Sequence, residues 1–217
     1  MNLARQAVMT ETALSQRTFL QSLEAMAREA EDDGYSLHYI LDRLDERAFG
    51  AALFLLALPC AIPFLYLVPQ IVSLPMMALT LQMLAGRNEP WLPEKFGSRK
   101  IDKAGLTRMA SFGRKWFGWL ERISKPSLTW LTGKKSERVI ALFLTVFCAS
   151  ILVPLPSTNT IPGIGVAITA FGLMSRDGRL VILGMLIGMA WVSLLVTAAA
   201  FGFDAATDLI RTLLGRG

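Results

Sequence analysis

VIALFLTVFCASILVPLPSTNTIPGIGVAITAFGLMS, residues 139–175, is the stretch that decides the fold. It contains no Lys, Arg, Asp, Glu or His, and both of its ends are apolar enough to form helices. Its centre, residues 154–163, cannot form a regular helix, because three prolines remove backbone donors and clash with the preceding turn. A straight helix over these 37 residues would be about 55 Å long, nearly twice a ~30 Å hydrocarbon core. The stretch therefore predicts two helical arms folded back as a hairpin.

Composition indicates a membrane protein. Of the 217 residues, 53% are hydrophobic and 18% are charged, whereas soluble domains carry about a quarter charged residues. Three long intervals have no charge: 48–86, 139–175 and 180–203. Such long uncharged apolar intervals are typical of membrane segments. We therefore predict an all-α integral membrane protein with two Pro-broken helical hairpins, one full transmembrane helix and amphipathic interfacial helices.

The first segment, residues 1–47, is acidic, with nine Asp and Glu against five Arg. Apolar residues at helical spacing predict an amphipathic helix over residues 10–31. Ser36 is placed to cap a second short helix. His38, beside the apolar face of that helix, is expected to be a packed or surface side chain and not a ligand or base. We expect this segment to be cytoplasmic and to dock on the membrane part or on a partner.

Residues 48–86 repeat the pattern of residues 139–175. The Ala-Leu-Phe-Leu run that starts at Ala52 matches the run that starts at Ala141, an offset of 89 residues (141 − 52 = 89). At the same offset Arg87 aligns with Arg176 without a gap (176 − 87 = 89). We interpret the two intervals as duplicated broken-helix hairpins, each followed by an arginine.

Residues 87–138 are the basic counterpart of the first segment, with thirteen Lys and Arg against five acids, a net charge of +8 (13 − 5 = 8). Lys and Arg near membrane segments are retained on the cytoplasmic side, so we expect this loop inside. Tryptophans are scattered among its basic residues, and a segment such as residues 114–120 is expected to lie along the lipid headgroups. Nucleic-acid binding uses similar residues, but the flanking membrane segments favour membrane lipids as the partner.

Residues 176–203 begin with a charged turn and continue with 24 uncharged residues that include no proline, the pattern of a full transmembrane helix. Gly184 and Gly188 form a GxxxG motif that permits close helix approach, either in a homodimer seam or against the protein's own hairpins. Residues 204–217 predict a short amphipathic tail.

Two topologies satisfy the charge pattern. If the basic loop and the turn at residues 176–179 are cytoplasmic, each hairpin begins and ends inside and the last helix exits. Spanning arms would give five crossings and re-entrant arms a single one. The arms are about 12–18 residues long, which is short for spanning and favours re-entrance. Irregular backbone at membrane depth must be buried in protein, so we expect a homo-oligomer, with a dimer as the simplest form.

The sequence contains no enzymatic constellation, such as a His/Cys ligand cluster, a P-loop or a nucleophile elbow. We therefore expect a protein that is not an enzyme and that binds no cofactor or metal. Cys60 and Cys148 both lie inside apolar intervals and are expected to be packing residues.

The duplicated break is the remaining candidate for a site, because a discontinuous membrane helix exposes backbone N–H groups that attract anions. Arginine would cost about 3 kcal/mol at mid-bilayer, so the two aligned arginines belong at the cytoplasmic interface, where they anchor the chain, contact lipid phosphate or cap helix C-termini. The first break is nearly apolar and the second is more polar. The candidate ligand-binding residues are Ser157, Thr158, Asn159, Thr160, Arg87, Arg176 and Asp177.

These residues resemble a known family. The motifs Ala57-Leu58-Pro59, Ile62-Pro63, Gly86-Arg87 and Pro90-Trp91-Leu92-Pro93 resemble the first half of the ExoD family, and Leu155-Pro156, Asn159, Ile161-Pro162 and Arg176-Asp177-Gly178 resemble its second half. The resemblance covers roughly residues 10–200. The chain departs from the family at Cys60, where members usually have Asn, and at residues 64–70, which replace a Pro- and Gly-rich run.

The resemblance implies a protein of the bacterial inner membrane that is linked to exopolysaccharide synthesis. Our leading hypothesis is that it binds or transports an ion, a lipid or a small anionic solute at the paired breaks. The alternative is an assembly factor whose acidic helices and basic loop dock exopolysaccharide synthesis or export proteins.

Overall fold

A computed structural model describes residues 18–44, 47–62, 65, 67–153 and 159–213. Over this part of the chain the secondary structure is almost entirely helical, and a 3-10 turn at Thr129–Thr132 precedes the seventh helix. The elements are α1 (Phe19–Glu29), β1 (Tyr35–Ser36), α2 (Leu37–Leu44), α3 (Arg47–Cys60), α4 (Val68–Leu84), α5 (Glu94–Gly97), β2 (Lys100–Ile101), α6 (Lys103–Ile123), α7 (Lys134–Leu152), α8 (Thr160–Ser175) and α9 (Gly178–Leu213).

The first two helices begin at side-chain caps. The Thr18 hydroxyl accepts a hydrogen bond from the Gln21 amide at 3.3 Å, and the Gln21 side chain accepts one from the Thr18 amide at 3.0 Å, which is a capping box. The Ser36 hydroxyl accepts from the Tyr39 amide at 3.2 Å, which confirms the predicted cap of α2. The predicted first helix is confirmed from Phe19 onward, and residues 10–17 lie outside the described part of the chain.

The acidic N-terminal helices dock on the basic segment of the same chain. Glu24 pairs with Arg114 of α6, Asp33 pairs with Lys100, and β1 runs antiparallel to β2. Below these pairs lies a hydrophobic cluster: Leu23, Met26, Ala27, Ala30, Ile40, Leu44, Ala48, Leu106 and Ala110. The sequence analysis left the docking surface open between the membrane part and a partner, and the structure shows that α1 packs chiefly on α6.

The charge-free intervals that end near Gly86 and Ser175 each contain a break between two helices, as predicted. The prediction that residues 154–163 cannot form a regular helix is wrong for residues 160–163, because α8 begins at Thr160 and includes Pro162. Pro162 is the third residue of α8, where a backbone amide has no intrahelical acceptor, so its missing N–H costs no helix hydrogen bond. Helices α3 and α4 have 14 and 17 residues, and α8 has 16. At 1.5 Å per residue these helices are about 21–26 Å long, shorter than a ~30 Å hydrocarbon core. Their lengths are compatible with re-entrant arms, and re-entrance stays a prediction.

The two hairpins pack crosswise. Helix α3 lies along α8, α4 lies along α7, and α8 also lies along α9. In each pair, the first helix of one hairpin lies along the second helix of the other: α3 with α8, and α7 with α4. This reciprocal pairing is expected of two hairpins related by a two-fold axis. The duplication stays a prediction, and this pairing is compatible with it. The core between the hairpins includes Phe49, Leu53, Met76, Phe147, Ile151 and Val166.

One helix among the described residues is long and apolar enough to cross a membrane, α9, over Gly178–Gly202. Its backbone continues as helix to Leu213. The short tail helix expected from residue 204 is therefore a continuation of α9, because no proline lies between Phe203 and Leu213 to break it. Residues 214–217 lie outside the described part of the chain.

Candidate functional site at the helix breaks

The two helix breaks lie at the same end of the hairpins. Gly163, in the first turn of α8, approaches the end of α3 so closely that a Cβ there would lie 2.7 Å from the carbonyl carbon of Cys60. The Cys60 thiol in turn reaches the Pro69 carbonyl oxygen of α4 at 4.0 Å. The end of α3 and the starts of α4 and α8 therefore meet around Cys60, and we call this region the break end.

Two buried side-chain oxygens at the break end have no hydrogen-bond partner among the described residues: Gln70 Oε1 and Asn159 Oδ1. Asn159 is 8% exposed and directly precedes α8, and Gln70 is half-buried in the first turn of α4. The two residues are separated by the repeat offset of 89 residues (159 − 70 = 89). The two breaks thus place the same kind of unpaired group at aligned positions.

The unpaired oxygen of Asn159 has a local cause. An Asn at this position normally accepts a hydrogen bond from one of the next two or three backbone amides. The third residue of α8 is Pro162, which has no N–H. Asn159 itself adopts a helical backbone conformation, with φ −82° and ψ −22°, and its side chain makes no capping hydrogen bond. Pro162 therefore removes one of the two backbone amides that usually donate to such a side chain.

Trp191 contributes a third unpaired group, the indole Nε1 donor, on the inner face of α9. A Cβ on Gly165 would lie 3.1 Å from both the Gly184 oxygen and the Gly188 nitrogen, so α8 and α9 run antiparallel in close contact there. From this contact Trp191 lies about 8 Å and Asn159 about 9 Å along the helices toward the break end. The Trp191 donor and the Asn159 acceptor are therefore at a similar depth.

These three groups are the features that distinguish the break end chemically. A buried polar atom without a partner costs roughly 1–3 kcal/mol. In addition, the first amides of a helix have no intrahelical acceptor and carry partial positive charge, and α4 and α8 both begin here. Gln70 and Asn159 each place a carboxamide acceptor near these amides, and Trp191 places an indole donor on α9 at a depth similar to that of Asn159.

The predicted ligand-binding residues fall at two ends of the fold. Asn159 and Thr160 are at the break end, and Ser157 and Thr158 lie outside the described residues. Arg176 and Asp177 follow the last residue of α8, about 24 Å away along a helix of this length. The structure thus places these two charged residues at the opposite end of α8 from Asn159 and Thr160, and we call that end the turn end.

Asp177 at the turn end is a buried structural anchor. It is 6% exposed, and its carboxylate accepts hydrogen bonds from the Ser127 hydroxyl at 2.5 Å, the Arg179 amide at 3.1 Å and the Lys125 amide at 3.3 Å. Burial alone would raise the pKa of Asp177, but these hydrogen bonds and one from Ser124 outweigh it and hold the pKa below its usual value. The carboxylate therefore caps α9 and holds residues 124–128.

The two aligned arginines occupy different surroundings. Arg176 ends α8 in a left-handed conformation, with φ 55°, and its carbonyl accepts a hydrogen bond from the Ser127 amide at 3.3 Å. Arg87 is exposed and lines a surface pocket of about 400 Å³ with His38, Asp42 and Trp91, among others. Both follow the C-terminal end of a hairpin helix, which is the position expected of interfacial anchors.

Gly184 and Gly188 serve contacts within the chain. A Cβ at Gly184 would lie 2.5 Å from the Thr169 amide nitrogen of α8, and one at Gly188 would lie 2.4 Å from the Phe147 ring of α7. Of the two uses that the sequence left open for this motif, the structure shows packing against the protein's own hairpins. A homodimer stays a prediction, and it would need another surface.

Two of the three unpaired residues were missed as site residues by sequence reasoning. Gln70 is one of the few polar residues of the first break in the sequence. Its alignment with Asn159 at the repeat offset would have identified it as a candidate site residue. Trp191 lies within an uncharged helix and carried no such signal. In the described part of the chain no three His, Cys, Asp or Glu side chains converge as metal ligands.

Comparison with known proteins identifies relatives over most of the chain. The family described as "Exopolysaccharide synthesis, ExoD" matches residues 19–197. The chain is 30% identical over 183 residues to the uncharacterized protein slr1875 of Synechocystis sp., covering 82% of this chain and 85% of that protein. It is 28% identical over 173 residues to Protein ExoD of Rhizobium meliloti, covering 77% of this chain and 71% of that protein. No solved structure shows a significant match.

Proposed function

Since the chain belongs to the ExoD family, whose name implies a role in exopolysaccharide synthesis, we propose that it is a membrane protein that binds a small anionic solute at its two helix breaks. The observation that carries the proposal is the aligned pair of buried, unpaired oxygens of Gln70 and Asn159. Packing alone does not account for two such groups at equivalent positions, because an apolar side chain of similar size would avoid their desolvation cost.

The groups at the break end define the chemistry of the solute. Helix N-termini favour a negative charge, and discontinuous membrane helices use this arrangement to hold anionic groups at membrane depth. The oxygens of Gln70 and Asn159 require hydrogen-bond donors, while the indole of Trp191 requires an acceptor. A solute that meets all three needs carries a negative charge together with hydroxyl or acidic O–H groups.

The test replaces each carboxamide by an apolar side chain of similar shape. Asn159→Leu and Gln70→Met remove the unpaired oxygens, so each variant is expected to unfold at the same or a higher temperature in detergent, with a gain of up to about 1–3 kcal/mol. Each is also expected to lower exopolysaccharide output, measured as secreted hexose per cell, when it replaces the native chain in a strain that lacks it.

Ser150→Ala is the matched control. Ser150 is a half-buried polar residue near the end of α7, but its hydroxyl is already bonded to the Phe147 carbonyl at 2.7 Å. Its loss is therefore expected to leave exopolysaccharide output unchanged. Normal output from both Asn159→Leu and Gln70→Met would overturn the proposal.

A binding measurement tests the solute class directly. At pH 6 inorganic phosphate is chiefly a monoanion with O–H donors, whereas sulfate has none. Since a ligand that binds the folded state raises its unfolding temperature, phosphate is expected to stabilise the purified protein more than sulfate does, and Asn159→Leu is expected to abolish the difference. Equal effects of phosphate and sulfate on the native protein would exclude a donor-bearing anion.

The assembly-factor alternative receives less support from the geometry. Its premise is that the acidic helices and the basic loop are free to dock other proteins. Glu24 and Asp33 pair with Arg114 and Lys100 of the same chain, so part of this charge is used internally. A deletion of residues 1–35 that leaves exopolysaccharide output normal would exclude the alternative.

A further inference from the structure

An apolar cavity of about 210 Å³ lies near the turn end between the amphipathic helices α1 and α6 and the hairpin helices α3 and α8. Five of its thirteen lining residues are phenylalanines. Phe54 of α3 lies at the centre of these walls, with its ring 5.0 Å from that of Phe117 and 5.5 Å from that of Phe171, measured between centroids.

The one charged residue among those that line the cavity, Glu121, is already engaged. One of its carboxylate oxygens accepts a hydrogen bond from the Thr18 hydroxyl at 3.0 Å and the other accepts one from the Leu20 amide at 2.9 Å. This carboxylate thus fixes the start of α1. The remaining lining is apolar, so the cavity selects its occupant by hydrophobic contact.

The cavity is open to the outside between α3 and α6, where two of its lining residues are exposed. Leu55 of the charge-free helix α3 is 53% exposed, and Phe112 of the basic amphipathic helix α6 is 56% exposed. Arg108, also exposed, lies one turn before Phe112 on α6 and complements the phosphate of a lipid headgroup. The exposed side of the cavity thus lies between the apolar helix α3 and the basic helix α6.

We propose that this cavity holds the end of one acyl chain of a bilayer phospholipid. An apolar cavity of ~150 Å³ takes up benzene, so about 210 Å³ accommodates part of an alkyl chain. An apolar cavity left empty destabilises the fold in proportion to its volume, and the hydrocarbon at its mouth supplies a chain. The lipid then bridges the docked N-terminal helices and the hairpins, and this site is separate from the break end.

The test uses the full chain reconstituted in nanodiscs that contain a phospholipid with a photoactivatable diazirine near the end of one acyl chain. After illumination, mass spectrometry is expected to locate cross-links at Leu55, Met109 and Phe112. Ala51→Phe fills the cavity from α3 and is expected to lower these cross-links by about fivefold or more. Ala190→Phe, the same change on the exposed face of α9, is the matched control and is expected to leave them unchanged.

Gly113→Ala is a milder second variant. A Cβ at Gly113 would lie 2.6 Å from the Leu20 Cδ2 atom, the flexible end of a side chain that lines the cavity. The substitution therefore displaces Leu20 within the cavity while the helix is retained, and it is expected to lower the same cross-links. Cross-links that persist at native level in folded Gly113→Ala and Ala51→Phe would overturn the proposal. Cross-links that rise severalfold when residues 1–17 are deleted would also overturn it, because the chain itself would then be the occupant.

Discussion

The Asp177 carboxylate accepts a hydrogen bond from the Ser127 hydroxyl at 2.5 Å, and the Gly178 amide donates to the Ser127 carbonyl at 2.8 Å. These contacts join the turn between α8 and α9 to the segment that follows α6. The basic loop is therefore held to α8 and α9 by a buried acid at the start of α9.

Replacing this acid is expected to destabilise the fold. Asp177→Asn keeps the size of the side chain but removes its charge and an acceptor, and it is expected to lower the free energy of unfolding by about 1–3 kcal/mol. The depressed pKa of Asp177 stabilises the native protein above the unfolded value of about 3.9, and this contribution is lost as the pH falls through the folded pKa. Thermal unfolding in detergent between neutral pH and pH 3 measures both effects.

Asp42→Asn serves as the control for this measurement, because Asp42 is exposed on α2. Its unfolding curve is expected to follow that of the native chain at every pH. An acid-induced loss of stability of native size in Asp177→Asn would show that other carboxylates cause it.

The ion pair between Glu24 and Arg114 is expected to contribute to the docking of α1 on α6. Glu24→Lys and Arg114→Glu each place like charges opposite one another and are expected to increase hydrogen exchange of the α1 amides. The double reversal restores an opposite-charge pair and is expected to recover protection. Because the Arg114 side chain is 56% exposed, the coupling is expected to be about 0.2–1 kcal/mol and to weaken in high salt. Additive effects of the two reversals would contradict this prediction.

Because Gly184 contacts α8 of the same chain, we expect its substitution to lower the stability of the fold and to leave the oligomeric state unchanged. Gly184→Ala brings a Cβ to 2.5 Å from the Thr169 backbone nitrogen, so overpacking is expected to cost about 1–3 kcal/mol. Gly202→Ala on the same helix meets nothing within 4 Å and is expected to be neutral or stabilising by up to about 1 kcal/mol. Light scattering in detergent completes the test, since a dimer that dissociates only in Gly184→Ala would assign the motif to the dimer seam.

Local signals accounted for most of the helices. The three prolines within residues 154–163 predicted the second break, and Ser36 predicted a cap, because each acts on its immediate neighbours along the chain. The docking of Glu24 on Arg114 joins positions 90 residues apart, and opposite net charges alone did not select that pairing. The missing hydrogen bond of Asn159 could be predicted in part from Pro162 in the sequence. The missing hydrogen bond of Trp191 could not be predicted, because it depends on how α8 and α9 are aligned along each other.

Whether a water-soluble reagent can reach the break end distinguishes re-entrant hairpins from hairpins that span the membrane. Leu67, at the start of α4, is 72% exposed and becomes a probe when Leu67→Cys is made in a background that lacks Cys60 and Cys148. We expect re-entrant hairpins, so an impermeant thiol reagent is expected to leave this position unlabelled from either side of the membrane. Ser98→Cys in the basic segment is expected to label from the cytoplasmic side, and Gly202→Cys near the far end of α9 from the opposite side. Labelling of Leu67→Cys from the same side as Gly202→Cys would instead show that the hairpins span the bilayer, because the break end would then lie across the membrane from the basic segment.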